Sequence, residues 1–185
     1  MKLWLLRHAP VLAEPGLCYG ATDLAAETEA TRSAAQRIAP LLPADIVLCS
    51  SPLRRCAELA EAIAELRPEL VVHRDPRLAE MNFGAWEGRP WSAIARAEFD
   101  AWTSDFADAC AGGCGESVRV FMQRVAAAHA QWQAAGGEAL WVTHAGVIRA
   151  VHLLAQGIDC PQSAAQWPEE GVRPGDWVVR ERLSR

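Results

Sequence analysis

Short apolar runs alternate along this chain with longer segments whose apolar residues recur at helical spacing. Five of the short runs predict β-strands, over residues 2–6, 46–49, 70–73, 139–143 and 177–180. The longer segments predict helices over residues 27–42, 52–67, 92–106, 118–135 and 146–155. The segments 7–23 and 76–90, rich in Pro and Gly, are predicted to be loops, and residues 111–115 form a Gly-rich break.

Two of the predicted helices carry clear boundary signals. Pro52 stands at the favoured first-turn position of the second helix, and Pro68 closes it. The fourth helix is the most regular, and the pair Gly136-Gly137 ends it. Its apolar residues fall at i, i+3, i+7, i+10 and i+14, which are Val118, Phe121, Val125, Ala128 and Trp132.

The alternation of strands and helices predicts an α/β fold. We expect a three-layer α/β/α arrangement, with a mostly parallel central sheet covered by helices on both faces. In such folds ligands bind beyond the carboxyl ends of the strands. The residues that directly follow each strand are therefore the ones that indicate function.

Composition narrows the class of protein. A length of 185 residues suits one domain, and a net charge of -5 without a Lys/Arg run argues against a nucleic-acid partner. The apolar N-terminal run is interrupted by Arg7-His8, too early for a signal peptide, and no stretch approaches transmembrane length. We therefore expect a cytoplasmic protein with no membrane partner, whose oligomeric state the sequence leaves open.

The cysteines predict no disulfide framework. There are six, none in a CxxC pattern, and without a secretion signal we expect reduced thiols. Cys49 and Cys56 lie among apolar residues and are interpreted as small buried hydrophobes. Cys110 and Cys114 flank the Gly-rich break, and a thiol-based metal or redox site there is kept as an alternative.

Histidines follow two of the predicted strands. His8 comes after the first strand, and His144 directly follows the strand over residues 139–143. A single histidine at a strand end is more often structural than functional. Two at equivalent strand ends are harder to explain in that way, because a parallel sheet would direct both imidazoles into the same crevice.

Positive and acidic groups follow the neighbouring strands. Arg54 and Arg55 stand in the first turn of the second helix, where free N–H groups already favour anions, and Arg7 adjoins His8. A guanidinium matches phosphate oxygens, although a solvated arginine pair is the alternative. Glu80 follows the third strand in an aromatic, Gly-rich loop suited to a general acid.

This set of groups suits phosphoryl transfer. A neutral histidine attacks phosphorus in line, a glutamic acid protonates the leaving oxygen, and cations neutralise the equatorial oxygens. The sequence has no Walker A motif, no dinucleotide-binding glycine motif and no Asp-rich cluster. We therefore expect no cofactor and no metal, with Arg7, Arg55 and His144 supplying the counter-charge.

The same residues resemble the motifs of a known family in the same order along the chain. Arg7-His8-Ala9 resembles an Arg-His-Gly signature, and residues 51–55 match Ser-x-Leu-x-Arg. Residues 78–88 are similar to Leu-x-Glu-x-x-Phe-Gly-x-Trp-Glu-Gly, residues 115–117 to Gly-Glu-Ser, and residues 144–149 to His-x-Gly-x-Ile-Arg. On these motifs the chain resembles the histidine phosphatase, or phosphoglycerate mutase-like, superfamily, with one such domain over residues 1–185.

The resemblance implies a role for each matching residue. His8 would be the nucleophile that forms a phosphohistidine, and Glu80 the proton donor. Arg55 is selected over Arg54, and with Arg7 and His144 it completes the expected catalytic set. The phosphate-binding residues would be Arg7, His8, Arg55, His144 and Ala145. The expected partner is a small-molecule phosphate ester.

Residues 16–24 resemble the Cys-Tyr-Gly-x-Thr-Asp segment of α-ribazole-5'-phosphate phosphatases, which act in assembly of the cobalamin nucleotide loop. This likeness implies Tyr19 and Thr22 as substrate contacts. Trp86 and Trp91 are interpreted either as core residues or as an apolar lid over a benzimidazole. Another phosphatase of this fold, acting on sugar phosphates or protein phosphohistidine, and a catalytically silent anion-binding module are the alternatives.

Three positions depart from the family pattern. Ala9 and Ala145 replace glycines, which is harmless unless the backbone there requires a positive φ. Glu14 stands where many members carry Asn near the phosphate. Because a carboxylate would repel phosphate, we expect Glu14 to point away from it.

Overall fold

A computed structural model describes residues 1–169 and 171–181 of the chain. Its five-stranded sheet has the order β3-β2-β4-β1-β5. The first four strands are parallel, and the last pairs antiparallel with β1 at one edge. The strands are β1 (Lys2–Arg7), β2 (Val47–Ser50), β3 (Val72–Arg74), β4 (Ala139–Thr143) and β5 (Trp177–Glu181).

Five α-helices cover the two faces of this sheet and confirm the predicted α/β/α fold. They are α1 (Thr28–Ile38), α2 (Arg54–Leu66), α3 (Arg96–Ser104), α4 (Val118–Ala135) and α5 (Ala145–Ala155). Leu5 and Leu6 of β1 face opposite ways, and each joins a separate core. One core lies under α4 and α5, and the other lies under α1 and α2.

Several predicted helix boundaries were wrong, and three of them have a clear backbone cause. The first helix ends at Ile38, since Pro40 lies in a following 3-10 turn. The third loses residues 92–95, because Ala95 is extended, with ψ 134. The second begins at Arg54 rather than Pro52, because Leu53 is also extended. Its first N–H groups are capped from outside the helix, by Ser51 Oγ at 3.3 Å and by Asp23 Oδ1 at 2.6 Å.

The sheet register brings the functional strand ends together. Arg7 pairs with Thr143, and Ser50 pairs with Val142. Two further hydrogen bonds continue the ladder beyond the strands, from His8 N to Thr143 O and from Ser51 N to Val142 O. His8, His144 and the start of α2 therefore share one crevice at the carboxyl edge of the sheet, as the sequence predicts.

Candidate active site

His8 is held in one tautomer at the end of β1. Its side chain is buried, and Nδ1 lies 2.7 Å from the carbonyl oxygen of Ala9. Because a carbonyl can only accept, Nδ1 carries the proton and Nε2 keeps its lone pair. Burial, then the charges of Arg55 and Arg7, lower the pKa of His8 to about 3. The ring is therefore neutral near pH 7, with a nucleophilic nitrogen available.

Arg55 is fully buried beside the two histidines. Its Nη1 and Nη2 donate to the carbonyl oxygens of Thr22 and Gly20 at 2.8 and 2.7 Å, and its Nε donates to His144 Nδ1 at 3.3 Å. One N–H on each Nη remains for a ligand. Arg54 instead pairs with Glu58 on the surface of α2. The geometry thus agrees with the selection of Arg55 over Arg54.

Arg7 brings a second guanidinium to the site. Its Nη1 donates to the carbonyl oxygen of Val172 at 2.9 Å. Its Nε is buried and has no acceptor within residues 1–169 and 171–181. A buried donor without a partner costs about 1–3 kcal/mol, so an anion that accepted from it would be favoured.

His144 does not carry the positive charge expected of it. Its Nδ1 accepts from Arg55, so Nε2 carries the proton and donates to Ser51 Oγ at 2.8 Å. Complete burial and the charge of Arg55 hold the pKa of His144 well below its usual range. Its ring centroid lies 5.2 Å from that of His8. The counter-charge in the structure therefore comes from Arg7 and Arg55, and His144 is a neutral hydrogen-bonding group.

Glu80 lies against the N-terminus of α5. Its Oε2 accepts from Gly146 N at 3.0 Å and its Oε1 from Met81 N at 3.1 Å. A Cβ at position 146 would stand 2.2 Å from Glu80 Oε1, so only glycine leaves room for this carboxyl. Ala145 begins α5 and directs the first N–H of the helix to the same edge. His8, Glu80 and the N-terminus of α5 are thus brought to one place.

A partly buried hydrogen-bond hub at Glu87 organises the loop over residues 20–22, and the sequence analysis assigned it no role. Burial alone would raise the pKa of Glu87, but hydrogen bonds from the Thr22 hydroxyl and from the N–H groups of Phe83, Gly20 and Ala21 lower it. This places the Thr22 and Gly20 carbonyls against Arg55. The Trp-Glu-Gly motif was the available signal.

A second unpredicted support holds the loop that carries Glu80. Arg124 of α4 donates to the backbone carbonyls of Arg77, Ala79 and Glu80 at 2.7–3.0 Å. Glu116 fixes the Arg124 guanidinium through bonds of 2.7 and 2.9 Å. Glu116 belongs to the Gly-Glu-Ser motif, which the sequence analysis used as a family motif without assigning Glu116 a role.

Of the proposed substrate contacts, Tyr19 and Thr22 lie beside the phosphate-binding groups. The Arg55 guanidinium carbon is 5.4 Å from the Tyr19 ring centroid, and the Thr22 carbonyl accepts from Arg55. Trp86 is buried, with its Nε1 donating to Glu98, so the core interpretation holds for this residue. Trp91 is 39% exposed and packs edge-on against Phe83.

The apolar surface beside Glu80 is made by other aromatic residues. A cavity of about 440 Å³ borders Glu80, Ala145 and Gly146, and neither Trp86 nor Trp91 lines it. Its aromatic walls come from Phe83, Phe99, Trp102, Phe106, Phe121 and Trp167. The sequence predicted an aromatic surface from the wrong segment, because α3, α4 and the segment after α5 meet only in the folded chain.

The departures from the family pattern leave the backbone unstrained. Within residues 1–169 and 171–181, only glycines have a positive φ, so Ala9 and Ala145 do not need the flexibility of the glycine they replace. Glu14 lies on the surface. The site is thus compatible with all three substitutions.

The cysteines differ in their burial. Cys56 is fully buried, whereas Cys49 is only partly buried. Cys110 and Cys114 are exposed, and no cluster of three or more metal-ligating side chains occurs in residues 1–169 and 171–181. Within the same ranges, no helix has the length and apolar character needed to cross a bilayer.

Acidification from pH 7 to pH 5 should destabilise the fold. Because the folded-state pKa values of His8 and His144 lie below the unfolded value of about 6.5, the unfolded chain takes up protons first. Stability is complete above pH 6.5 and falls with pH toward about 3, the pKa of His8. We expect His8 to contribute a loss of about 2 kcal/mol by pH 5, and His144 to add a further loss.

Urea unfolding in phosphate-free buffer at the two pH values measures this loss. His8→Gln should reduce the pH dependence by the contribution of His8, about 2 kcal/mol between pH 7 and pH 5. His73→Gln, at an exposed position on β3, is the matched control and should leave the dependence unchanged. A free energy of unfolding that is equal at pH 7 and pH 5 would contradict neutral buried histidines.

Sequence and structure comparisons agree on one family. The profile of the histidine phosphatase superfamily (branch 1) matches residues 3–168. No protein of curated function matches the chain significantly. Among solved structures, a mycobacterial glucosyl-3-phosphoglycerate phosphatase in complex with VO3 is 26% identical with a TM-score of 0.80, over 96% of this chain and 91% of that one. The protein TTHB049 from Thermus thermophilus is 31% identical with a TM-score of 0.71, over 97% and 92% of the two chains.

Proposed function

This chain belongs to the histidine phosphatase superfamily (branch 1), and from that premise we propose that it is a metal-independent phosphomonoesterase acting through a phosphohistidine at His8. The observation that carries the proposal is the neutral, single-tautomer His8 beside two guanidinium groups. A nucleophile in this state needs no separate base. The arginines offer the N–H donors that phosphate oxygens require.

In the first half-reaction His8 Nε2 attacks phosphorus and the bond from phosphorus to the ester oxygen breaks. Glu80, protonated on its carboxyl, gives that proton to the leaving oxygen, and the alcohol departs. The negative charge on the equatorial oxygens is met by the unused N–H groups of Arg7 and Arg55 and by the N-terminus of α5. In the second half-reaction Glu80, now ionised, takes a proton from water, which attacks the phosphohistidine and releases phosphate and neutral His8.

Activity is expected to survive chelation of divalent ions. The reason is that Arg7 and Arg55 bring to the phosphate the positive charge that Mg²⁺ supplies in other phosphotransfer enzymes. Hydrolysis of p-nitrophenyl phosphate should be unchanged in EDTA, and orthovanadate should inhibit competitively as an analogue of five-coordinate phosphorus. The related mycobacterial phosphatase was solved with VO3, which supports the vanadate arm. Loss of activity in EDTA that Mg²⁺ restores would contradict this prediction.

For the substrate we propose α-ribazole 5'-phosphate, which would place the enzyme in assembly of the cobalamin nucleotide loop. The aromatic cavity beside Glu80 supports this choice, because it would receive the organic part of the ester on the leaving-group side. Stacking of a flat base on aromatic side chains contributes about 1–3 kcal/mol per base. The resemblance of residues 16–24 to the ribazole phosphatase segment gives independent support.

One observation favours a second substrate class, an anionic sugar ester such as glucosyl-3-phosphoglycerate. Arg149 lines the same cavity, and its buried Nε has no acceptor within residues 1–169 and 171–181. A carboxylate on the substrate would provide one. The ratio of kcat/KM values for the two esters separates the candidates. A ratio above one for α-ribazole 5'-phosphate supports the first, and a ratio below one the second.

The aromatic cavity also permits a matched pair of substitutions. Trp102→Leu removes a cavity wall, whereas Trp91→Leu removes a partly exposed indole outside the cavity. We expect Trp102→Leu to raise the KM for α-ribazole 5'-phosphate by about 5- to 50-fold, by analogy with base stacking. Trp91→Leu should leave it within about twofold. Melting temperatures of both variants control for folding, and the reverse pattern would restore the lid assigned to Trp91.

A further inference from the structure

A second cavity of about 450 Å³ lies between α5 and the edge strand β5, and it shares Arg149 with the aromatic cavity beside Glu80. Its walls include Arg149 and His152 from α5, Arg173 from the segment before β5, and Arg180 from β5 itself. Neither His8 nor Glu80 lines it. Its volume is that of a small-molecule site.

The charge of these walls is positive in a chain whose net charge is -5. Three arginines line the cavity, and the one carboxylate among its described walls, Asp176, already accepts from Arg37 at 2.8 Å. The pairing lowers the ability of Asp176 to neutralise the cavity. The three guanidinium groups therefore create a local positive potential that attracts anions.

Two guanidinium donors at this cavity lack acceptors. Nε of Arg149 and Nε of Arg180 are both buried, without a hydrogen-bond partner in residues 1–169 and 171–181. Arg180 Nη2 donates to His152 Nδ1 at 3.0 Å, and this bond orients the guanidinium. Unpaired buried donors are uncommon and favour a ligand that accepts from them.

The segment that lines this cavity is tied to the catalytic strand end. Val172 accepts from the Arg7 side chain at 2.9 Å, and Asp176 O accepts from Arg7 N at 3.0 Å. Gly175 N donates to the carbonyls of Arg7 and His8 at 3.1 and 3.0 Å. A molecule held by Arg173 and Arg180 would thus contact the segment over residues 172–176, whose backbone positions Arg7.

We propose that this cavity is a second ligand site, which binds a small organic molecule carrying two or more phosphate or carboxylate groups. The ligand accepts from the guanidinium groups of Arg180 and Arg173, while Ile148 and the Trp177 ring provide an apolar wall. The site is distinct from the phosphate crevice of the proposed hydrolase. Its occupant is bound and not hydrolysed, since neither the nucleophile nor the acid lines the cavity.

Calorimetric titration with citrate and with inorganic tripolyphosphate, in separate arms at fixed ionic strength, tests the site. The His8→Ala protein is used so that neither probe is consumed. We expect one probe to bind with a Kd below 1 mM, and the stronger arm identifies carboxylate or phosphate as the preferred group. Arg180→Met should weaken that binding at least tenfold. Arg173→Met, at an exposed side chain, should weaken it as well.

The control is Arg96→Met, which removes a surface arginine of α3 that pairs with Asp100. It should leave the Kd unchanged. In the wild-type enzyme, we expect the same probe to inhibit hydrolysis of p-nitrophenyl phosphate in a way that is not purely competitive. Competitive inhibition with a Kd unaffected by Arg180→Met and Arg173→Met would locate the probe in the catalytic crevice and overturn the proposal. Absence of binding of both probes at 10 mM would also overturn it.

Discussion

Replacement of His8 by alanine should abolish both turnover and the phosphoenzyme. We expect kcat for p-nitrophenyl phosphate to fall by about 10⁴-fold or more, as is usual when a covalent nucleophile is removed. The physical reason is that Nε2 of His8 is the neutral lone pair presented between Arg7 and Arg55. Neither guanidinium can replace it, because arginine stays protonated and has no acceptor lone pair.

Rapid quenching with ³²P-labelled substrate measures the intermediate directly. The wild-type enzyme should show a label that is acid-labile and base-stable, as expected for a phosphorus–nitrogen bond, and His8→Ala should show none. His73→Ala is the matched control, because His73 is exposed on β3 and lies outside the crevice. It should keep full activity and label. A His8→Ala enzyme that retained most of its activity would exclude His8 as the nucleophile.

Replacement of Glu80 by glutamine should give a loss that depends on the leaving group. Alkyl phosphates need a proton on the departing oxygen, so their kcat should fall by about 10²–10⁴-fold, the usual contribution of a positioned acid. p-Nitrophenolate leaves without a proton, and its release should slow by less than about tenfold. The amide keeps the shape of the carboxyl but cannot give or take this proton.

Two further variants distinguish proton transfer from a structural role of this loop. Gly146→Ala would place a Cβ 2.2 Å from Glu80 Oε1, so it should displace the carboxyl and reproduce the same dependence on the leaving group. Glu87→Gln removes the negative charge of the carboxylate that accepts from the backbone of residues 20–22. It should lower the rate of hydrolysis of both substrates by the same factor. If Glu80→Gln also lowered kcat equally for both substrates, its role would be structural.

Two hydrogen-bond networks hold the groups of the site in position without a ligand. Glu87 joins two segments 65 or more residues apart in sequence, and Arg124 ties α4 to the backbone beside Glu80. The Arg55 guanidinium therefore donates to the carbonyl oxygens of Thr22 and Gly20 rather than to water. Such preorganised donors stabilise developing charge without reorganisation during the reaction.

The sequence by itself determined the order of elements and the positions that carry chemistry. Strand β4 was predicted with its observed bounds, because a buried parallel strand is a continuous apolar run. His8 and His144 were found because parallel strands deliver their following residues to one edge of the sheet. Arg55 over Arg54 came from the family motif, since the two neighbouring arginines have the same local sequence environment.

Only the tertiary structure decided the charge states, the supporting networks and the walls of the two cavities. His144 is neutral because full burial beside Arg55 disfavours a second positive charge, and burial is not visible in a local pattern. The aromatic cavity beside Glu80 and the arginine cavity between α5 and β5 both combine segments distant in sequence. Side chains from such segments acquire a common environment only when packing brings them together. The positions after the strands therefore identified the reacting groups, whereas the aromatic surface beside Glu80 was visible only in the folded chain.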